Sequence, residues 1–304
     1  MLKTRKEPSA NYSSIFLNGK TIRIPLDKDK PITELRFPEF YDVGINGSHK
    51  HGMCRTGKCT YCYTSANKSG YYTKNVSEKI KAFFSPLSQS KRPYQIALGG
   101  NGEPIEHPEF LDVLSIFNEL DILPNLTSNG VLINEKNTYI VEAMKKYCGG
   151  VAITCHNHLE KHWRRALDIL HEAKIKVNVH LIISTKESID KFKKLYQEYN
   201  GVIDYFVLLP YMPVGFAKNL PSPIDFNYLE SFLDSIHHYS NLAFGSNFYH
   251  WLKKINKWGI SLYPPEIMSK YIVFEQEETL LFNNSFEAKS VQWDNGVVLQ
   301  QNKL

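Results

Sequence analysis

The chain has 304 residues, 42% of them hydrophobic, 13% aromatic and 22% charged, with a net charge of +5. That much apolar material excludes a disordered chain, and no Gly or Pro period points to a fibrous one. The length suits one large α/β domain or two smaller ones, no run of about 18 apolar residues offers a membrane span, and the mild positive charge permits an acidic or nucleic-acid partner without requiring one.

The first residues, Met1-Leu-Lys-Thr-Arg-Lys-Glu-Pro8, are basic with no apolar stretch behind them. No secretory signal is expected, and the chain reads as cytoplasmic. Residues 1–39 read as an extension carrying a hairpin over 15–24, because Asn18-Gly19 supplies the positive φ angles of a tight turn. Strands are then predicted at 40–46, 94–98, 123–127, 150–155, 176–183 and 204–209. After the second they recur every 25 to 30 residues or so, the period of a strand plus a crossover helix. Helices are predicted at 109–120, 159–173 and 189–199. The fold class is therefore α/β, a partial (β/α)6 barrel of parallel strands with outer helices over 40–220. Pro221 and Pro223 mark its end. Residues 221–304 read as a segment closing the barrel. It holds a helix at 226–239, a strand near 242–245 and a β-rich tail in which 271–282 and 285–291 pair through Asn283-Asn284.

Three of the five cysteines fall within nine residues, Cys54-Arg-Thr-Gly-Lys-Cys59-Thr-Tyr-Cys62. Thiols this close in a cytoplasmic chain argue for a metal over disulfides. They can hold three corners of a [4Fe–4S] cluster and leave the fourth iron open, or form a zinc site with His49 or His51; the spacing alone leaves both open. The loop follows the first barrel strand, at the C-terminal sheet edge where α/β active sites are built. At the end of the second strand stands Gly99-Gly-Asn-Gly-Glu103-Pro104. Such a segment lets a ligand approach the backbone closely and sets a carboxylate beside it to accept hydrogen bonds from an ammonium group.

With these motifs in this order, residues 40–215 resemble the radical S-adenosylmethionine (radical SAM) superfamily. The resemblance implies that Cys54, Cys59 and Cys62 ligate the cluster, with the aromatic Tyr61 before the last thiol. It implies that Gly99, Gly100, Asn101, Gly102 and Glu103 stand for the Gly-Gly-Glu-Pro motif that binds the SAM amino group. The segment Thr127-Ser-Asn129-Gly130 is similar to the Thr-Asn-Gly that ends the third strand, and Thr154 sits where the fourth strand offers a hydroxyl to the SAM carboxylate or ribose. From His180 through Ser184 to Glu187 the chain follows the spacing of the fifth-strand motif near adenine, with both its glycines replaced. Tyr211 and Met212 are candidate adenine contacts. Arg164 or Arg165 either reaches the SAM carboxylate or is a surface arginine. Two departures stand out: the cysteine loop is one residue longer than the usual C-x3-C-x2-C, and the glycine-rich segment carries an insertion. The implied reaction is reductive cleavage of SAM to methionine and a 5′-deoxyadenosyl radical, which takes a hydrogen atom from a substrate.

Strand alternation sorts the remaining candidates. Thr154 shares a face with Ala152 and His156, which leaves Cys155 to the outer helices; Cys155 and Cys148 read as structural thiols. On the fifth strand Asn178, His180, Ile182 and Ser184 should line the interior. His156 and His180 are therefore the candidate catalytic residues, for substrate contact or proton transfer; otherwise they are hydrogen-bonded structural histidines. No cysteine follows Cys155, which argues for one cluster. Trp251, Trp258, Tyr263 and Trp293 either shape a substrate pocket or belong to the core. The expected partners are a small-molecule, peptide or nucleotide substrate and a reductant such as flavodoxin or ferredoxin, with no membrane. A peptide has a route in through strand addition to the tail. The alternative is a zinc- or iron–sulfur-containing binding protein with a degenerate catalytic site, contacting nucleic acid through its basic surface.

Overall fold

The computed structural model describes residues 2–30, 32, 40–45, 61–62, 72–99, 102–214, 217–218, 225–245, 248 and 252, together with the backbone of four strands between 270 and 303. Strands β1 (Leu2–Glu7), β2 (Tyr12–Leu17) and β3 (Lys20–Pro25) form a separate antiparallel sheet. The expected hairpin is β2–β3. Its turn has Asn18 at φ 50° and Gly19 at φ 83°, with Leu17 paired to Lys20. The sequence reading does not include β1, whose Leu-Lys-Thr-Arg-Lys-Glu lacks an apolar alternation. Its buried residue is Arg5, whose Nη2 donates to the Arg92 carbonyl at 2.8 Å and whose guanidinium lies over the Tyr94 ring.

Seven parallel strands follow in chain order across one sheet: β4 (Phe40–Gly44), β5 (Gln95–Leu98), β6 (Leu123–Ser128), β7 (Val151–Thr154), β8 (Val177–Ile183), β9 (Tyr205–Pro210) and β10 (Leu242–Phe244). They make the expected curled half-barrel, each expected strand standing within two residues of its predicted bounds. The crossovers hold α1 (Val76–Phe84), α2 (Phe110–Glu119), α3 (Thr138–Tyr147), α4 (Glu160–Glu172), α5 (Lys186–Tyr199) and α6 (Phe226–Leu233). Of these, α1 and α3 were not predicted. The helix expected over 226–239 stops at Leu233, and a single 3-10 turn, Ile236–His238, replaces its end. Helix α5 opens on a capping box in which Thr185 Oγ1 accepts from Ser188 N and Ser188 Oγ accepts from Thr185 N.

Beyond β4 the sheet continues through β11 (Lys270–Phe274), parallel to β4, and then through antiparallel β12 (Thr279–Phe282), β13 (Ala288–Asp294) and β14 (Val297–Lys303). The tail therefore departs from expectation. The strand predicted over 271–282 is two strands paired antiparallel, Phe274 opposite Thr279. The division falls at Glu275-Gln-Glu-Glu278, where no apolar residue continues the strand pattern. The next pairing is antiparallel as expected but shifted: Phe282 faces Ala288, so the partner strand is Ala288–Asp294 instead of 285–291, and Asn283-Asn284 alone do not make the connection.

The core lies between the sheet and its helices. On β8, Val177, Val179, Leu181 and Ile183 are each at most 3% exposed, while Asn178, His180 and Ile182 between them are half-buried. The same alternation holds on β5, β6 and β9. The apolar set meets helices such as α4 and α5, supplying Trp163, Leu167, Phe192 and Leu195. The other set forms the concave inner face. At the N-terminal edge of these strands sits the small β1–β3 sheet. Phe16 stacks on Tyr94 at 5.3 Å, Ser14 Oγ and Tyr94 Oη share a hydrogen bond of 3.0 Å, Lys3 pairs with Asp121, and Lys176 donates to the Asn18 carbonyl.

Candidate functional site

Because neighbouring parallel strands are in register, inner-face residues form rows. Asp42, Ala97 and Asn125 make one row. Thr127, Ala152, Asn178 and Tyr205 make the next, nearer the C-terminal edge, and Thr154, His180 and Val207 the one beyond. The concavity is thus lined by short or polar side chains. Thr154 and His180 are direct neighbours in register, as the alternation argument expects. Asp42 is an addition. The alternation of Tyr41, Val43 and Ile45 on the core side was the signal that could have found it.

Asp42 and His180 both keep some solvent access, yet the surrounding wall strips water from their charged forms. Burial raises the Asp42 carboxyl to about 7 and lowers the His180 imidazole to about 4. At neutral pH His180 is therefore an uncharged ring, able to accept a hydrogen bond.

The C-terminal edge begins with Gly99, whose N–H donates to the Val43 carbonyl at 3.1 Å. A Cβ on Gly99 would stand 3.0 Å from the Thr127 Cβ, so the two strand ends approach as closely as they do because Gly99 has no side chain. Glu103 follows, 2% exposed, with Oε2 accepting from Asn129 N at 2.7 Å. Burial pushes its carboxyl up to about 7, against hydrogen bonds from Asn129 and Ser128 that favour the carboxylate. Motifs on two different strands, Glu103 after β5 and Asn129 after β6, are thereby joined. Asn129 in turn accepts from Val131 N through Oδ1 at 2.9 Å.

Two further contacts fasten the segment that carries the cysteines. Tyr61, beside the half-buried Cys62, shares a hydrogen bond of 3.0 Å between its hydroxyl and His156 Nδ1. Thr73, downstream, has its carbonyl bound by His107 Nε2 at 2.9 Å, and its hydroxyl donates to the Phe274 carbonyl at 2.8 Å. His107 Nδ1 accepts from Glu109 N, which sets the proton on Nε2. Glu109 accepts from Val76 N and Ser77 N, capping α1 from another element. Burial opposes its charge, but the Ser77 and Val76 hydrogen bonds outweigh that and lower its pKa.

Other expected site residues lie as follows. Ser184 links β8 to α5, its N–H donating to Ser188 Oγ at 2.9 Å. Tyr211, just past β9, is buried at 7% exposure. Arg164 donates to Glu160, Glu198 and the Tyr199 hydroxyl, and its guanidinium lies over the Trp163 ring. Arg165 pairs with Glu135. Cys155 belongs to the core, and burial holds both it and Cys148 at about 12, as inert thiols. Cys54, Cys59, Gly100, Asn101, His49, His51, Trp251, Trp258, Tyr263 and the Trp293 side chain lie outside the described residues.

The described edge fits SAM and a cluster on three counts. Gly99 presents backbone without a side chain, Glu103 is a buried acid whose charge an ammonium group would favour, and Cys62 adds soft thiol chemistry at the same edge.

No family model matches the chain, and no curated protein sequence matches it. Solved structures do. Streptococcus suis SuiB bound to S-adenosylmethionine is similar at TM-score 0.57 and 15% identity over 78% of this chain and 58% of that one. SuiB bound to precursor peptide SuiA gives TM-score 0.57 and 15% identity over 79% and 58%. Native anSMEcpe with bound AdoMet and Cp18Cys peptide gives TM-score 0.51 and 16% identity over 81% and 74%. This chain thus spans less than two thirds of the length of SuiB. SuiB and anSMEcpe are radical SAM proteins, and the chain has their fold.

Proposed function

We propose that the chain is a radical SAM enzyme that uses one [4Fe–4S] cluster on Cys54, Cys59 and Cys62. The observation that carries this reading is the meeting, at one strand edge, of Cys62, the Gly99 cradle and the buried Glu103 carboxyl tied to Asn129. When bound, the cluster and SAM supply reductive cleavage to methionine and a 5′-deoxyadenosyl radical that takes a hydrogen atom from substrate. The chain's own part is to hold and to shield. Glu103, with the backbone of Gly99 to Gly102, receives the SAM ammonium group, and a cation there favours the ionised carboxylate that burial alone disfavours. Thr127, Asn129, Thr154 and Ser184 offer hydroxyl and amide groups along the edge, and Tyr211 a ring beside adenine. Neutral His180 and the Asp42 carboxyl face a substrate laid in the concavity, where His180 accepts a hydrogen bond.

The substrate class that has most support is a peptide, since structures of SuiB and anSMEcpe hold peptides. Electrons come from a flavodoxin- or ferredoxin-like donor. The test is anaerobic reconstitution with iron and sulfide. A brown protein with about four irons that yields 5′-deoxyadenosine from SAM and dithionite is expected, and a Cys59→Ala variant should yield none. Colourless protein carrying one zinc, or a Cys59→Ala variant cleaving SAM at the wild-type rate, overturns the reading.

A further inference from the structure

The end of β7 is held more firmly than a strand terminus requires. Trp163 Nε1 donates to the His156 carbonyl at 2.9 Å, and Trp163 itself is fully buried. Lys191 Nζ donates to the Cys155 carbonyl and to Asn157 Oδ1, both at 2.6 Å, and lies 5.5 Å from the centroid of the Trp163 ring. Three consecutive residues, Cys155, His156 and Asn157, are thus pinned by side chains from two outer helices, α4 and α5. His156 then turns Nδ1 to the Tyr61 hydroxyl at 3.0 Å. Tyr61 is bonded directly to Cys62, so freedom at Tyr61 is freedom at that thiol. A fixed support on the barrel wall therefore reaches the cysteine segment through the Tyr61–His156 hydrogen bond, which spans 95 residues of sequence.

The geometry points to His156 as a positioning residue for the cysteine loop: with Tyr61 it anchors the Tyr61–Cys62 step to the firmly held end of β7. This rests on the proposed function for its consequence, the placing of a cluster, but the anchor itself does not. It also gives the extra residue of the C-x4-C spacing a physical setting. A longer loop has more conformations to lose on closing round a metal, and a tether at Tyr61 removes some of them beforehand. His156 acts here through Tyr61, without touching substrate.

The experiment uses the full chain, reconstituted anaerobically, as wild type, Tyr61→Phe, His156→Leu, His156→Gln and the double variant Tyr61→Phe/His156→Leu. The readouts are the rate of iron loss to a chelator and the electron paramagnetic resonance signature of the reduced cluster. Tyr61→Phe and His156→Leu should each speed iron loss about three- to tenfold, the worth of one hydrogen bond. The double variant should be no faster than either single, because both remove the same bond. His156→Gln, which keeps a hydrogen-bonding group, should restore the wild-type rate and signature, with unfolding midpoints unchanged throughout. Unchanged rates, additive effects, or a Gln variant as poor as Leu overturn the proposal. If the wild type takes up no cluster, the proposed function falls by itself. The anchor is then read from hydrogen exchange of the 54–62 peptide in the same proteins, where exchange no faster in Tyr61→Phe or His156→Leu than in wild type overturns it.

Discussion

The two edges of the parallel sheet are finished in opposite ways. At the N-terminal edge the small β1–β3 sheet lies against the strand starts through stacked aromatics and ion pairs, with Tyr12 and Phe16 fully buried. The buried Arg5 there donates through Nη2 to the Arg92 carbonyl and lies over the Tyr94 ring. At the C-terminal edge the described residues include a glycine whose missing side chain lets two strand ends close up and a buried acid whose charge is disfavoured. The first edge is built for stability. The second holds groups that the fold alone does not want, which is the mark of a site completed by a ligand.

Substitutions at the two edges should therefore separate stability from binding. The largest effect belongs to the N-terminal edge. Phe16→Ala removes a fully buried ring stacked on Tyr94 and should lower unfolding stability by about 3–5 kcal/mol in denaturant titrations. SAM affinity of the folded fraction should not change, and a matching loss of affinity would break the comparison. Glu103→Gln should do the reverse. The carboxyl titrates at about 7 in the fold against an ordinary 4.5, so folding takes up a proton between those values. Its contribution is neutral below about 4.5, becomes unfavourable as pH rises, and levels off above about 7. Ligand-free Glu103→Gln should thus match wild type in acid and exceed it at pH 8, by at most about 3 kcal/mol, while binding SAM less tightly. A variant less stable than wild type at pH 8 would show that the carboxylate is needed by the fold itself.

The same contrast explains what was legible in the sequence. The parallel strands β5, β7, β8 and β9 could be read because each carries buried Val, Ile, Leu or Phe on alternate positions at βα spacing, and the β2–β3 hairpin because Asn18-Gly19 has few other uses. The first strand escaped because its buried member is Arg5, a residue that burial patterns assign to solvent. The break between β11 and β12 was hidden by Tyr271 to Phe274 and Thr279 to Phe282, which read as one apolar stretch across an acidic interruption. At the site, residue types at strand ends were legible, and their connections were not. Nothing in the order of residues announces that Glu103 is bound by Asn129 N, that Arg164 is taken up by Glu160 and Glu198, or that Tyr61 meets His156. Those are long-range pairings, fixed only when the strands close into register. Asp42 is the opposite case, a residue whose inward position the alternation of its own strand already dictated.

The sharpest form of the comparison is a matched pair of glycines with the smallest expected effects. Gly19 lies in the hairpin turn at φ 83°, with open space where a Cβ would stand. Gly19→Ala therefore costs about 1 kcal/mol through backbone conformation alone. Gly19→Asn should recover most of it, because Asn tolerates the left-handed region. Gly99 differs in kind. A Cβ there presses on Thr127 at 3.0 Å, so the cost of Gly99→Ala is steric, about 1 kcal/mol as the strand ends give way. Gly99→Asn must then be worse than Gly99→Ala, and both should weaken SAM binding in calorimetric titrations while the Gly19 variants leave it untouched. If Asn rescued position 99 as it does position 19, the glycine there would be serving backbone conformation, and the cradle reading of that edge would fail.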